Sequence, residues 1–140
     1  MSKKSIIIII FLFLIYFIFY SISYSYSISQ ELEENVFRLH IIANSDSVED
    51  QELKLYVRDK VIEYLHQFSF SSKQDLINFL NENKTEIENV VQKSINEKGY
   101  SYPFSLEISN SFFPKKEYGN IELPSGIYDG LRIKIGDSNR

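Results

Sequence analysis

The segment Phe37 to Glu52 constrains the fold most, because the period of its apolar residues changes inside it. Phe37, Leu39 and Ile41 alternate with Arg38, His40 and Ile42, the period of two expected where one face of a strand meets a core. Asn44, Ser45, Asp46 and Ser47 follow, four short polar side chains that can bond nearby backbone groups. Asp46 or Ser47 can accept from the free N–H groups of a following helix. Glu49 or Asp50, three residues on, completes a capping-box arrangement and places negative charge at the positive helix end. A strand must therefore pass through a polar turn directly into a capped helix.

Beyond Ser47, Leu53, Tyr56, Val57, Val61, Tyr64, Leu65 and Phe68 fall on one helical stripe, with Lys54, Arg58, Asp59 and Glu63 largely off it. The run Phe68 to Ser71 ends that helix. Ser72 with Asp75 starts a second, carrying Leu76, Ile77, Phe79 and Leu80. Asn83 with Glu86 opens a third, with Ile87, Val90, Val91, Ser94 and Ile95 on its apolar face and Lys98 and Gly99 at its end. After Gly99 the period returns to two. Phe104, Leu106 and Ile108 alternate with Ser105, Glu107 and Ser109, and Leu131, Ile133 and Ile135 alternate with Arg132 and Lys134. Between these strands, breaks at Pro114 to Lys116, Tyr118 to Asn120 and Pro124 to Gly126 predict a meander. The fold class is α+β: one small domain with about three helices packed on one face of a mostly antiparallel sheet, preceded by an N-terminal hydrophobic leader. Arg38, His40, Glu107, Arg132 and Lys134 are expected on the other sheet face.

The leader carries Lys3 and Lys4 ahead of an unbroken apolar run from Ile6 to Tyr20, with no acidic residue before Glu31, the charge layout of an export signal. That run as a helix reaches ~22 Å, short of a ~30 Å hydrocarbon core, whereas adding Ser21 to Ile28 makes a span possible. Residues 1–30 are therefore read as a signal peptide or membrane anchor, with the signal-length run favouring cleavage. Residues 31–140 form the domain. Either reading puts the domain outside the cytoplasm.

Net charge is −4 including Lys3 and Lys4, so the domain is more acidic than the whole chain. No basic face is evident to neutralise phosphates, which argues against nucleic-acid binding. The absence of Cys excludes a disulfide framework and thiolate metal sites. No Gly-x-Ser-x-Gly elbow and no phosphate-binding Gly loop occurs. His40, Asn44, Asp46 and Asp50 could be imagined as a metal or hydrolytic cluster at a strand end. The simpler reading has Asn44, Asp46 and Asp50 shaping and capping the turn, since metal sites need several convergent ligands and only two His exist. No catalytic residue, metal or cofactor is assigned, and no small-molecule substrate. Arg58 and Arg132 belong to positions that are most often solvated. An Arg can also make bidentate contacts to a partner's carboxylates. His40, Asn44, Asp46, Asp50, Arg58 and Arg132 are accordingly the candidate partner-binding residues, on one recognition surface made of the sheet's polar face and the turn.

The wording from Leu39 to Val61 resembles the N-terminal signature of the stage II sporulation protein R family, with Asp50, Gln51, Leu53, Lys54, Val57, Arg58 and Asp59 at its helix positions. The stretches Tyr118 to Tyr128 and Leu131 to Gly136 are similar to the family's Tyr-Gly, Leu-Pro-x-Gly-x-Tyr and Leu-Arg-x-x-Ile-Gly elements. The resemblance implies a non-enzymatic intercellular signal of endospore formation. It implies secretion from the forespore into the intermembrane space and activation there of a membrane-embedded aspartic protease, the receptor, which processes the sigma-E precursor. The family's tail with paired Trp and two Cys has no counterpart before Arg140, so the domain is expected to be C-terminally truncated. The rival from another class is a secreted or anchored hydrolase using His40, Asn44 and Asp46.

Overall fold

The computed structural model describes residues 2–119 and 121–137. Its elements are α1 (Lys3–Asn35), β1 (Phe37–Ile42), α2 (Val48–Leu65), α3 (Lys73–Glu82), α4 (Lys84–Glu97), β2 (Phe104–Phe113), β3 (Lys116–Tyr118), β4 (Ile121–Leu123) and β5 (Gly126–Ile135). Helix starts follow local side-chain chemistry. The Ser47 hydroxyl accepts from the Asp50 amide at 3.2 Å, and the Ser72 hydroxyl accepts from the Asp75 amide at 3.1 Å. Asn83 is different: its side-chain amide donates back to the Phe79 carbonyl, so α4 starts without a side-chain cap. At the other end of α4, Gly99 has φ +80, its N–H reaches the Asn96 carbonyl and the Tyr100 N–H reaches that of Ile95. That pair of bonds is a Schellman ending, which requires the left-handed residue that Gly supplies.

The main sheet has the order β1-β5-β2, with β1 parallel and β2 antiparallel to β5. β3 and β4 form a separate hairpin. The expected meander is thus a hairpin set inside a longer connection, and the last strand takes the centre of the sheet. Centrality suits β5, whose Leu131, Ile133 and Ile135 are the most apolar alternating set in the chain. Register places Ile41, Ile133 and Leu106 side by side on the face covered by helices. Against them pack Leu53, Val57 and Val61 of α2, Leu80 of α3 and Ile87, Val91 and Ile95 of α4, all buried. Each such aliphatic side chain contributes roughly 1.5–3 kcal/mol by leaving water. Phe68 lies beyond the end of α2 and is exposed, so the stripe closes one turn earlier than its spacing predicts.

The opposite face departs from expectation. Arg38 is 6% exposed instead of solvated. Its guanidinium lies 4.7 Å from the Phe113 ring centroid and 5.1 Å from that of Tyr128, and Nη1 donates to the Pro114 carbonyl at 3.1 Å. A guanidinium is weakly hydrated and stacks on ring faces, so an aromatic sandwich can bury it. Space for that sandwich comes from Gly130, the register partner of Arg38. A Cβ there would stand 2.7 Å from the Phe113 ring. Alternation predicts which residues share a face; it does not reveal that a distant aromatic folds over them.

α1 is one unbroken helix of 33 residues with none buried. From Ile6 to Ile28 it rises ~34 Å, enough to cross a bilayer. Helix α1 is long and apolar enough for a membrane span, a property that export signals share. Its base is held to the domain by Lys73, whose ammonium donates to the Glu33 carbonyl at 3.0 Å and pairs with Asp129 at 2.6 Å.

Candidate functional site

Two distant parts of the chain meet at the C-terminal end of β1. Asp50 Oδ2 accepts from the Ser45 hydroxyl at 2.6 Å and from the Asn44 amide at 3.0 Å, while the buried carboxylate sits in the first turn of α2. The same Asn44 accepts, through Oδ1, from the Asp137 amide at 3.2 Å. Gly136, at φ +71, passes so close that a Cβ would stand 2.0 Å from Asn44 Oδ1. Gln51 donates to the Ser45 carbonyl at 2.8 Å and closes the turn. Asn44 therefore ties the strand–helix turn to the end of β5, and the two sequence motifs, far apart in the chain, are halves of one hydrogen-bonded node.

The Ser45 hydroxyl, helped by Asn44 and by the Tyr102 hydroxyl, holds the Asp50 carboxyl below the usual carboxylate range against the opposing effect of burial. The Lys73 ammonium, then the Asn110 amide, does the same for Asp129. A carboxyl with a depressed folded value contributes stability above its unfolded value, and that contribution disappears as pH falls through the folded one. The urea midpoint is therefore expected to hold between neutrality and about pH 4 as far as these two groups are concerned, and to fall below it. Asp50→Asn and Asp129→Asn should each make that acid limb shallower; unchanged limbs in both variants would refute the assignment.

The candidate partner-binding residues do not form the single surface expected of them. Asn44 and Asp50 are turned inward as the node. Asp46 is exposed on the turn. Arg132 is half-buried on the outer sheet face, donating to the Ser111 hydroxyl at 3.2 Å. His40 and Arg58 do come together, lining a groove of about 560 Å³ between β1, the outer side of α2 and the β3–β4 hairpin. Arg38, Lys54 and Lys116 line it as well, with Leu55, Ile62, Tyr118 and Leu123 as apolar walls. Burial first, then Arg132, Arg38 and Lys54, lowers the His40 value from that of a free imidazole. His40 also lies against Phe113, with centroids 5.8 Å apart.

Sequence reasoning missed Lys54, Leu55, Ile62 and Lys116. A signal was present on α2. Leu55 and Ile62 lie seven residues apart outside the core stripe, and Lys54 and Arg58 are like charges four residues apart, which weakens a helix slightly. That arrangement serves the surface better than the helix. Lys116 gave no such sign, because only the folding back of the β3–β4 hairpin brings it here.

The arrangement is suited to gripping a ligand more than to breaking bonds. His40 projects from the sheet face opposite the helices, whereas Asp50 sits in α2 and is fully engaged by its neighbours. Among the described residues no group of three or more His, Cys, Asp or Glu is placed to hold a metal ion.

Residues 33–140 match the family described as stage II sporulation protein R. The chain is 29% identical over 108 residues to stage II sporulation protein R of Bacillus subtilis (strain 168). That match covers 76% of this chain and 48% of the relative, so the chain spans about half the relative's length. No solved structure matches it. The matched region takes in both halves of the Asn44 node and every strand and helix of the domain after α1, so this chain belongs to the stage II sporulation protein R family.

Proposed function

We propose that this chain is an exported signal of endospore formation that acts by binding. It is made in the forespore, held or released between the forespore and mother-cell membranes, and it switches on a membrane-embedded aspartic protease that processes the sigma-E precursor. One observation carries this reading: His40 and Arg58 share a cationic groove, while Asn44 and Asp50 are engaged with each other, with Ser45 and with the Asp137 amide. Export is supported by α1, whose basic start and apolar length suit a signal or an anchor. A ligand changes its receptor only through better binding to one state than to another, so the domain is proposed to favour the protease's active arrangement. The proposed contact set is His40, Asp46, Arg58 and Arg132, with Asn44 and Asp50 shaping the surface from behind.

The test is co-production of the full chain with the protease and its precursor substrate. Arg58→Glu combined with His40→Ala is expected to cut precursor processing by at least about tenfold, the scale of losing a central contact pair. Far-UV circular dichroism and the thermal midpoint should hardly move, because both side chains are exposed. Full processing by the folded double variant would overturn this assignment of contacts, and processing that is independent of the chain would overturn the function itself.

A further inference from the structure

β1 is terminal in the order β1-β5-β2, so one side of its backbone has no strand partner among the described residues. Five consecutive β1 residues, Phe37 to Ile41, line the groove. Residues whose side chains alternate between faces line one cavity together where it runs along the strand's edge and meets its backbone. The rim is cationic. Lys54 and Arg58 reach it from α2 and Lys116 from β3, and none of the lining residues is acidic, although Arg58 also pairs with the neighbouring exposed Asp59 at 2.7 Å. A second apolar groove of about 270 Å³ continues from Phe37 and Leu39 past Ile62 to Phe68 and Phe70.

We propose that the free edge of β1 takes up an extended, carboxylate-bearing segment of a partner protein as an added strand. This rests on the signalling function above and specifies what the signal grips. Main-chain hydrogen bonds along β1 hold the segment whatever its sequence, and Lys54, Arg58 and Lys116 select acidic side chains. Leu55 and Ile62 receive the alternate apolar ones. The strand Phe37–Ile42 offers ~20 Å of edge, room for about six residues. A second copy of this chain fits poorly, because pairing β1 with β1 would bring the same cations together.

The full chain in detergent micelles is titrated with three labelled peptides: alternating Val and Glu, alternating Val and Lys, and the Val/Glu peptide interrupted by two central prolines. The Val/Glu peptide is expected to bind and to slow amide exchange in Phe37–Ile42. The other two should bind at least about tenfold more weakly, since one has the wrong charge and the other cannot form a strand. The variant K54E/R58E/K116E should reverse the preference toward Val/Lys. Equal binding of the proline-interrupted peptide, binding without protection of β1, no binding, or self-association through β1 would each overturn the proposal. Loss of binding to phosphatidylglycerol vesicles in the triple variant, with no peptide preference in the native chain, would overturn it in favour of lipid. The processing assay run alongside keeps the two proposals apart. A chain that triggers processing while ignoring all three peptides sinks the edge site alone. One that takes the Val/Glu strand and triggers nothing sinks the signalling function alone.

Discussion

Gly130→Ala is expected to destabilise the domain by ~1–3 kcal/mol, although replacing a glycine by alanine where the backbone allows it ordinarily stabilises by ~0.4–1 kcal/mol. The glycine's φ is not positive, so the backbone imposes no need for it. The reason is space. A Cβ at position 130 would stand 2.7 Å from the Arg38 carbonyl oxygen and 2.7 Å from Phe113 Cζ, the first a backbone atom in the paired strand and the second the tip of a rigid ring. Relief requires β1 to move off β5 or Phe113 to swing out. Either outcome uncovers the Arg38 guanidinium, whose Nε already lacks a hydrogen-bond partner. Gly126→Ala is the informative contrast. There the nearest atom is Glu33 Oε1, the far end of a flexible side chain, and the expected change is within ~0.5 kcal/mol. Urea midpoints of the two variants decide the matter: similar values would mean that Phe113 does not lie over the sheet as described. Near-ultraviolet circular dichroism of Tyr128, buried against Phe113, should change in the first variant only.

Asp50→Ala should cost ~2–4 kcal/mol, which lowers the thermal midpoint by ~10–20 °C in a domain of this size. The substitution leaves the Ser45 hydroxyl and the Asn44 amide without their shared acceptor. Asn44 also holds the Asp137 amide, so its release frees the end of β5. Asp50→Asn separates charge from hydrogen bonding, because one amide oxygen can still accept from both donors. It should lose about half as much. Glu52→Ala, two residues away and exposed, should shift stability by no more than ~0.5 kcal/mol. A loss confined to helix fraying would appear as an Asp50→Ala effect no larger than that of Ser47→Ala, ~1 kcal/mol for a cap, and would refute the node. Loss of signalling is expected to accompany the stability loss, since the turn supports the C-terminal end of the β1 edge.

Local chemistry was readable where a few neighbouring residues decide the outcome. The Ser47 and Ser72 caps, the Gly99 ending and the core stripe of α2 each depend on contacts within about one helical turn. His40 and Arg58 were found as candidates, yet as members of a flat polar face. Arg38 was placed on the correct side of the strand, but its burial was not legible, because it depends on Phe113 of β2 and Tyr128 of β5. Asn44 and Asp50 were recognised as turn formers. Their link to Gly136 and Asp137 spans almost the whole domain and leaves no spacing to detect. Asn120, one of the residues in the motif after Tyr118, and the last three residues lie outside the described ones.

By itself, the order of residues determined the strand–turn–helix start, the three helices and their apolar stripes, the apolar leader and the family, because each rests on periodicity, capping or wording within a short window. Only the tertiary structure decided that β5 lies between β1 and β2, that β1 is left with a free edge, and that Lys54, Arg58 and Lys116 gather beside it. Strand order and edge exposure come from which apolar faces can be buried together across long separations, and a one-dimensional pattern holds the faces without their partners.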